Sequence, residues 1–285
     1  MTNFPTTKEL KLRARHHLAG AFGPCLTAAF LLTLAGFLLS GLVQRSGGAI
    51  NLYFWDTATS DIQNTLSLSA EGLFAALRVD EAGMGFSIAV TPALLGKIFG
   101  LQLLAAALVA PLRLGAHRQL WAARSGAPLP ALHLFSAYAD LRRGVQAVVL
   151  EVVLTAIQLV LQGLLCIPAL MLLSALGVTV NSISAVMWTA LLGLGLAWCL
   201  MSPFVPARYL LARGETATAG QALAGAFALL REGCGYFVRL RLSFALWEIF
   251  SLLSNGVLDL YLFPYRGMTV IAWIEAREQE LRDSL

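Results

Sequence analysis

Charged residues are scarce in this chain. Asp, Glu, Lys and Arg make up 13% of its 285 residues and hydrophobic residues 58%, whereas an ordinary soluble domain carries about 25% charged residues. With a mean hydropathy of +0.73, the chain has too little charge to cover the surface of a water-soluble domain. The composition therefore predicts an all-α protein that crosses a membrane several times, because a spanning segment must satisfy its own backbone hydrogen bonds.

Cysteines and catalytic motifs are also few. The four cysteines are Cys25, Cys166, Cys199 and Cys234. Each lies in or next to an apolar run, so we expect small packing residues rather than a disulfide framework. The sequence has no nucleophile elbow, no phosphate-binding loop and no zinc-type spacing of His and Cys. We therefore expect no catalytic residue, no cofactor and no metal site.

Long apolar runs recur along the chain, and about 20 apolar residues suffice to cross the hydrocarbon of a bilayer. The predicted fold is a single integral membrane domain over residues 1–285, a helical bundle with short amphipathic helices at the interface. The predicted spans, about six in number, are 20–43, 92–112, 147–172, 185–204, 236–254 and 257–274. An alternative with five spans and an acidic outer C-terminus stays open.

Basic residues cluster at the ends of the apolar runs. Four precede the first span, and the segments 113–143 and 208–231 are also basic, whereas the predicted outer loop, 44–85, carries a net negative charge. The positive-inside rule thus predicts a cytoplasmic N-terminus. Because the basic residues do not form one stripe, we expect no nucleic-acid partner. Membrane lipid is the expected partner, and protein partners stay open.

Three polar segments repeat apolar residues at helical spacing, which predicts short amphipathic helices at the membrane surface. The outer one is defined by Ile62, Leu66, Ala70, Leu73, Phe74 and Leu77. The first inner one is defined by Leu134, Phe135, Tyr138 and Leu141. The second inner one is defined by Leu223, Ala226, Phe227 and Leu230.

Several short motifs occur in a characteristic order. They are Arg13-Ala14-Arg15, Pro111-Leu112 with Gly115, Leu134-Phe135, Leu242-Ser243-Phe244, Trp247, Pro264-Tyr265 and Thr269. In this order they resemble the bacterial integral membrane family known as domain of unknown function 975. The resemblance covers nearly the whole chain and departs at Leu246, where a small residue is expected. It implies a helical protein of the bacterial plasma membrane and no established activity.

Five ionisable residues at membrane depth are candidate sites, because charges there are costly and often functional. Glu151, in the third span, is predicted to pair with Arg239 or Arg241, which lie at a similar inner depth in the fifth. Glu248 and Arg266 lie on either side of the final turn. At about 1.5 Å per residue their depths are similar, and they too are predicted to pair. Both pairs are interpreted as structural, with a substrate-contacting or transport site as the alternative.

Three hypotheses for function follow. The favoured one is a non-enzymatic integral membrane protein that acts through lipid or protein partners. The first alternative is a small transporter or permease subunit with a polar site near Glu248 and Arg266, which would need a water-accessible cavity. The second is a membrane-embedded enzyme, which would need polar clusters at one depth, and the sequence offers few of these.

Overall fold

The computed structural model describes nine stretches of the chain. They are residues 4–45, 50–55, 62–68, 85–87, 92–175, 192–193, 195–231, 233–254 and 257–283. Residues 178–184, predicted to form a short outer turn, and the final turn predicted at Asn255-Gly256 lie outside them. Most of the predicted outer loop and part of the span at 185–204 also lie outside them. The fold class is all-α, as predicted, and a small sheet is the one addition among the described residues.

Eight α-helices have both ends inside these stretches, and residues 192–193 and 195–200 are helical as well. The eight helices are α1 (Thr7–Arg45), α2 (Pro92–Arg124), α3 (Ser136–Ala139), α4 (Leu141–Ala175), α5 (Val205–Arg213), α6 (Ala219–Leu230), α7 (Cys234–Leu253) and α8 (Asp259–Asp283). Short 3-10 turns at Ala131–Phe135 and Ser202–Phe204 precede α3 and α5. The predicted spans at 92–112 and 147–172 each lie inside one helix, and the span at 20–43 lies in α1, which is broken at Ala21.

Among the described residues, three helical stretches are long and apolar enough to cross a membrane: Thr7–Leu39, Phe99–Arg124 and Leu141–Leu165. They carry the membrane character that the composition predicts. Helices α7 and α8 are interrupted by charged residues, among them Arg241 and Arg266. The count of six spans therefore stays a prediction.

Helix α1 is broken close to the predicted start of the first span. Ala21 has non-helical backbone angles (φ −132°, ψ 23°), and Pro24 lies three residues further on. Because proline has no N–H and its ring clashes with the carbonyl four residues earlier, it kinks a helix at this point. The segment before the kink buries Leu10, Ala14 and Leu18, which recur at i, i+4 and i+8, so it packs along one face.

The chain divides into two compact units. The first comprises Met1–Phe37, Ala107–Glu151 and Met201–Leu285, and the second comprises Leu38–Ala106 and Val152–Leu200. Helix α8 lies at the centre of the first unit, where Ile271, Trp273 and Ile274 are completely buried. The ring of Trp273 packs on that of Phe237 in α7 at a centroid distance of 4.5 Å. Every site described below lies in the first unit.

The second unit contains an antiparallel sheet where the sequence predicted a helix. Its strands are β1 (Ile50–Trp55), β2 (Ile62–Leu68) and β3 (Gly85–Ser87), in the order β2-β1-β3. The prediction of an outer amphipathic helix is thus wrong over 62–68, and its continuation over Ala70–Leu77 lies outside the described residues. The physical reason is that Leu66 and Leu68 are spaced by two residues, which suits a strand pairing with β1.

The two inner amphipathic segments are helical, as predicted. The second is α6, with Thr218 as its N-cap. The first is a 3-10 turn continued by α3, and it buries Leu134 and Ala137 rather than the whole predicted face. Its backbone lies so close to α2 that a Cβ on Gly115 would sit 2.1 Å from the carbonyl oxygen of Leu134. Only glycine permits this approach.

Candidate functional site: two ion pairs and a basic side

Glu151 lies in α4, and its side chain is only 4% exposed. Arg113 of α2 donates from Nη1 to its Oε2 at 2.5 Å. Arg208 of α5 donates from Nε to Oε1 at 2.7 Å and from Nη2 to Oε2 at 2.9 Å. One carboxylate therefore joins three helices through a bidentate contact and a single one, which are strong charge-assisted bonds.

The predicted partners of Glu151 are therefore wrong. Arg239 is exposed on α7. Arg241 is buried and donates from Nη1 to the Oγ of Ser202 at 3.0 Å. The prediction matched these residues by depth alone, but a helix side chain also needs the correct direction around its axis, and Arg113 and Arg208 have it.

A buried histidine adjoins this cluster. His117 lies one turn after Arg113 in α2, and its Nδ1 is 2.7 Å from the carbonyl oxygen of Arg113, a contact in which the ring nitrogen donates. Its ring packs edge-to-face on Tyr209 at 4.5 Å. Burial raises the pKa of the Tyr209 hydroxyl. A cavity of about 10 Å³ lies between His117, Glu151 and Arg208, and it could hold about one water molecule.

The predicted ion pair between Glu248 and Arg266 is confirmed. Arg266 of α8 donates from Nη1 to Oε1 of Glu248 in α7 at 2.5 Å, and the side chains are 29% and 19% exposed. Arg241 lies within electrostatic range of both residues and of Arg208. The polar side chains of α5, α7 and α8 thus lie in one region rather than at separate sites.

The C-terminal half of α8 is tied to the ends of other helices. Arg124 at the end of α2 donates from Nη2 to Glu275 at 2.8 Å and from Nη1 to His17 in α1. Arg213 at the end of α5 donates from Nη1 to Glu278 at 2.7 Å. Burial lowers the pKa of Arg213, but its hydrogen bonds to Glu278 and the charges of Glu278, Glu215 and Glu275 together outweigh this effect, and the pKa is raised.

These contacts place four segments on one side of the first unit, and we call that side the basic side. It comprises residues 7–17, 113–143, 208–231 and 275–283. Glu275 and Glu278 of α8 thus lie beside Arg124 and Arg213, at the ends of α2 and α5. The number of spans, five or six, stays a prediction.

One cavity of the basic side is lined by arginines. It has a volume of about 180 Å³ and lies between α2, the start of α4 and the loop after α5. Arg118, Arg142 and Arg143 line it, together with Gln146 and the backbone around Gly214. Neither this cavity nor the small one beside Glu151 is lined by Glu248 or Arg266.

Sequence reasoning missed the residues that organise this region. Arg113, Arg208, Arg124 and Arg213 were counted only as topology signals, and His117 was placed outside the spans. A usable signal was present, because Arg113 and Arg208 each follow a proline by two residues, in Pro111-Leu112-Arg113 and Pro206-Ala207-Arg208.

The sequence matches no family model, no curated protein and no solved structure. Within the stretches described above, no group of three or more His, Cys, Asp or Glu side chains is arranged to hold a metal ion. The family resemblance therefore stays a prediction.

Proposed function

We propose that this chain is a non-enzymatic integral membrane protein that acts through contacts of its basic side with lipid or protein partners. The observation that carries the proposal is the engagement of Glu151. Both of its oxygens accept hydrogen bonds from Arg113 and Arg208, and the side chain is buried. A carboxylate that carries protons or contacts a substrate must be reached from outside. Glu151 instead holds α2, α4 and α5 together.

The proposed location is the bacterial plasma membrane, with the basic side in the cytoplasm. Support comes from the positive-inside rule, since the segments of the basic side carry most of the Lys and Arg residues. Cysteines introduced at Leu12 and Gln279, both exposed on the basic side, should react with a membrane-impermeant thiol reagent only after the cells are opened. Labelling of either one in intact cells would contradict this orientation.

We also propose membership in the domain of unknown function 975 family. Residues that carry the resemblance contact one another. Gly115 accommodates the backbone of Leu134, and the rings of Phe244 and Tyr265 pack edge-to-face at 5.5 Å. These contacts are a structural reason for the motif residues to occur together in one sequence. A profile search seeded with close relatives of this chain should recover the family, and failure to do so would count against membership.

A transport test separates the proposal from its first alternative. Glu151→Gln and Glu248→Gln keep the side-chain size and remove the charge, and Glu215→Gln is a matched exposed control. We expect the first two to unfold at lower temperature than the wild type, and vesicles containing the wild type to hold a proton or solute gradient as well as empty vesicles. We also expect anionic lipid to raise the unfolding temperature more than zwitterionic lipid, as a bound ligand does.

The transporter hypothesis has one observation in its favour, because Glu248 and Arg266 are more exposed than Glu151. It would replace the proposal if the wild type dissipated the gradient and Glu248→Gln stopped this without a change in unfolding temperature. For the hypothesis of a membrane-embedded enzyme, the described residues provide no specific observation.

A further inference from the structure

The arginine-lined cavity is built from three separate elements of the basic side. Arg118 comes from α2, Arg142 and Arg143 come from the first turn of α4, and the third wall is the loop around Gly214. Gly214 ends α5 with a positive φ of 88°, a conformation that favours glycine. Gly214 therefore allows the loop to turn at this point and to form the third wall of the cavity.

The charge of this cavity is positive and only partly balanced. Arg143 pairs with Asp140 at 3.4 Å. Within the described part of the chain, Arg118 and Arg142 have no carboxylate at ion-pair distance. The Oε1 of Gln146 accepts a hydrogen bond from the backbone N–H of Ala219 at 2.9 Å, which fixes the carboxamide and leaves its NH₂ group as a further donor. The site thus offers donors and an excess of positive charge, which suits an anion.

The cavity's volume limits the size of the group it can enclose. Sites that enclose a drug-sized ligand measure about 300–1,000 Å³, whereas this cavity measures about 180 Å³. It can hold a small anionic group such as a phosphate while the rest of the ligand lies outside. Arginine is well suited to such a group, because its planar guanidinium binds phosphate oxygens in pairs.

An apolar stripe runs from the cavity along α4. Leu141, Val145 and Val149 recur at every fourth residue and are all exposed. They form the row next to Arg142 and Gln146 on the helix surface. In a membrane such a row faces acyl chains, so a phosphate in the cavity and a hydrocarbon chain on the stripe are the two ends of one phospholipid.

We propose that this cavity binds the phosphate group of an anionic phospholipid, whose acyl chains lie along the exposed stripe of α4. The proposal deepens the proposed function and rests on it, since it assigns a specific lipid contact to the basic side. Basic pockets between spanning helices on the cytoplasmic side are a recognised setting for anionic headgroups.

The test is lipid titration of the purified full-length protein in detergent, followed by native mass spectrometry. Phosphatidylglycerol, phosphatidylcholine and inorganic phosphate are the three probes. The pocket variant carries Arg118→Gln, Arg142→Gln and Arg143→Gln. The control variant carries the same charge change at the exposed Arg13, Arg15 and Arg231. Arg142→Gln alone is a milder variant, because Arg142 is exposed and its loss should leave the fold intact.

We expect one phosphatidylglycerol to bind the wild type and the control more tightly than phosphatidylcholine. The pocket variant should lose about tenfold or more of this affinity, since charge-assisted contacts are removed, and Arg142→Gln should lose a smaller part. Equal losses in the pocket and control variants would overturn the site but leave a general lipid contact of the basic side intact. Pocket-dependent binding of inorganic phosphate without lipid discrimination would overturn the lipid assignment. Failure of the wild type to bind any lipid would count against the proposed function as well.

Discussion

Replacing Glu151 by leucine should destabilise the protein more than removal of any other single carboxylate described here. The substitution removes the shared acceptor of Arg113 and Arg208 and leaves both guanidinium groups at a junction of three helices. Removing one partner of a buried ion pair typically costs about 3–5 kcal/mol, because the charge left behind has lost its partner.

The exposure of Arg113 and Arg208 determines where in the range of about 3–5 kcal/mol the loss of stability falls. Arg113 is 34% exposed and Arg208 25%, so each can recover part of its solvation after the substitution. Two charge-assisted contacts at about 1.5 kcal/mol each, the lower end of their usual range, give a loss of about 3 kcal/mol. Glu215, which is 64% exposed and pairs with Arg213, should lose less than about 1 kcal/mol when replaced in the same way.

The assay is equilibrium unfolding in mixed micelles, followed by tryptophan fluorescence, for Glu151→Leu and Glu215→Leu in parallel. A triple variant with leucine at positions 113, 151 and 208 tests the cause, since replacing a whole buried ion group with apolar side chains can be nearly neutral. The triple variant should therefore recover much of the stability lost in Glu151→Leu. Equal, small effects of the two single substitutions, or a triple variant worse than Glu151→Leu, would refute the reasoning.

Two further predictions concern the final helix pair and the close approach near α2. Glu248→Leu and Arg266→Leu should each lower the yield of folded protein, and the double substitution should recover much of it, as measured by gel filtration; normal folding of both single variants would contradict the structural role. Gly115→Ala should cost more than about 1 kcal/mol by unfolding assay, because its Cβ would meet Leu134. The control Gly220→Ala, with no atom within 4 Å of the new Cβ, should be neutral or stabilising; similar effects at both sites would contradict the packing explanation.

The pairing of Glu248 with Arg266 could be predicted from the sequence because the two residues are close along the chain. The two residues are 18 positions apart, and a helical hairpin fixes their relative depth once its turn is placed. Lipid penalises either charge left alone, which makes pairing the expected result. The same reasoning failed for Glu151, whose partners lie 38 and 57 positions away. Depth alone leaves several arginines eligible, and only the packing of α2 and α5 selects among them.

The prediction of an outer amphipathic helix was wrong for a different reason. Ile62 and Leu66 satisfy the helical spacing of four, but four is also a multiple of the two-residue period of a strand. Pairing with β1 decides between the two periods, and pairing is a property of two segments. The helical pattern of 219–230 has no such competitor, since its apolar residues recur at spacings of both three and four.

Glu151 binds α2 and α5 through two similar segments of sequence, Pro111-Leu112-Arg113 and Pro206-Ala207-Arg208. In each segment the arginine that follows proline by two residues binds Glu151. Each helix then ends at a glycine with positive φ, Gly126 or Gly214. At Gly126 the N–H groups of Gly126 and Ala127 donate to the carbonyl oxygens of Ala123 and Ala122, which is a Schellman ending. The end of α2 and the whole of α5 thus share two features, an arginine that binds Glu151 and a glycine with positive φ at the helix end.

The last turns of α2 and α5 are also alike, and they explain the acidic residues in the last part of α8. Arg124 and Arg213 occupy the last turns of α2 and α5, where the helix dipole favours a positive charge. Their partners Glu275 and Glu278 are three residues apart on α8, so they lie on one face of that helix. Helix α8 therefore fixes the ends of two helices that Glu151 joins at earlier positions, Arg113 and Arg208. Two such points of attachment on each helix set its direction as well as its position, and the walls of the arginine-lined cavity are held in place by this arrangement.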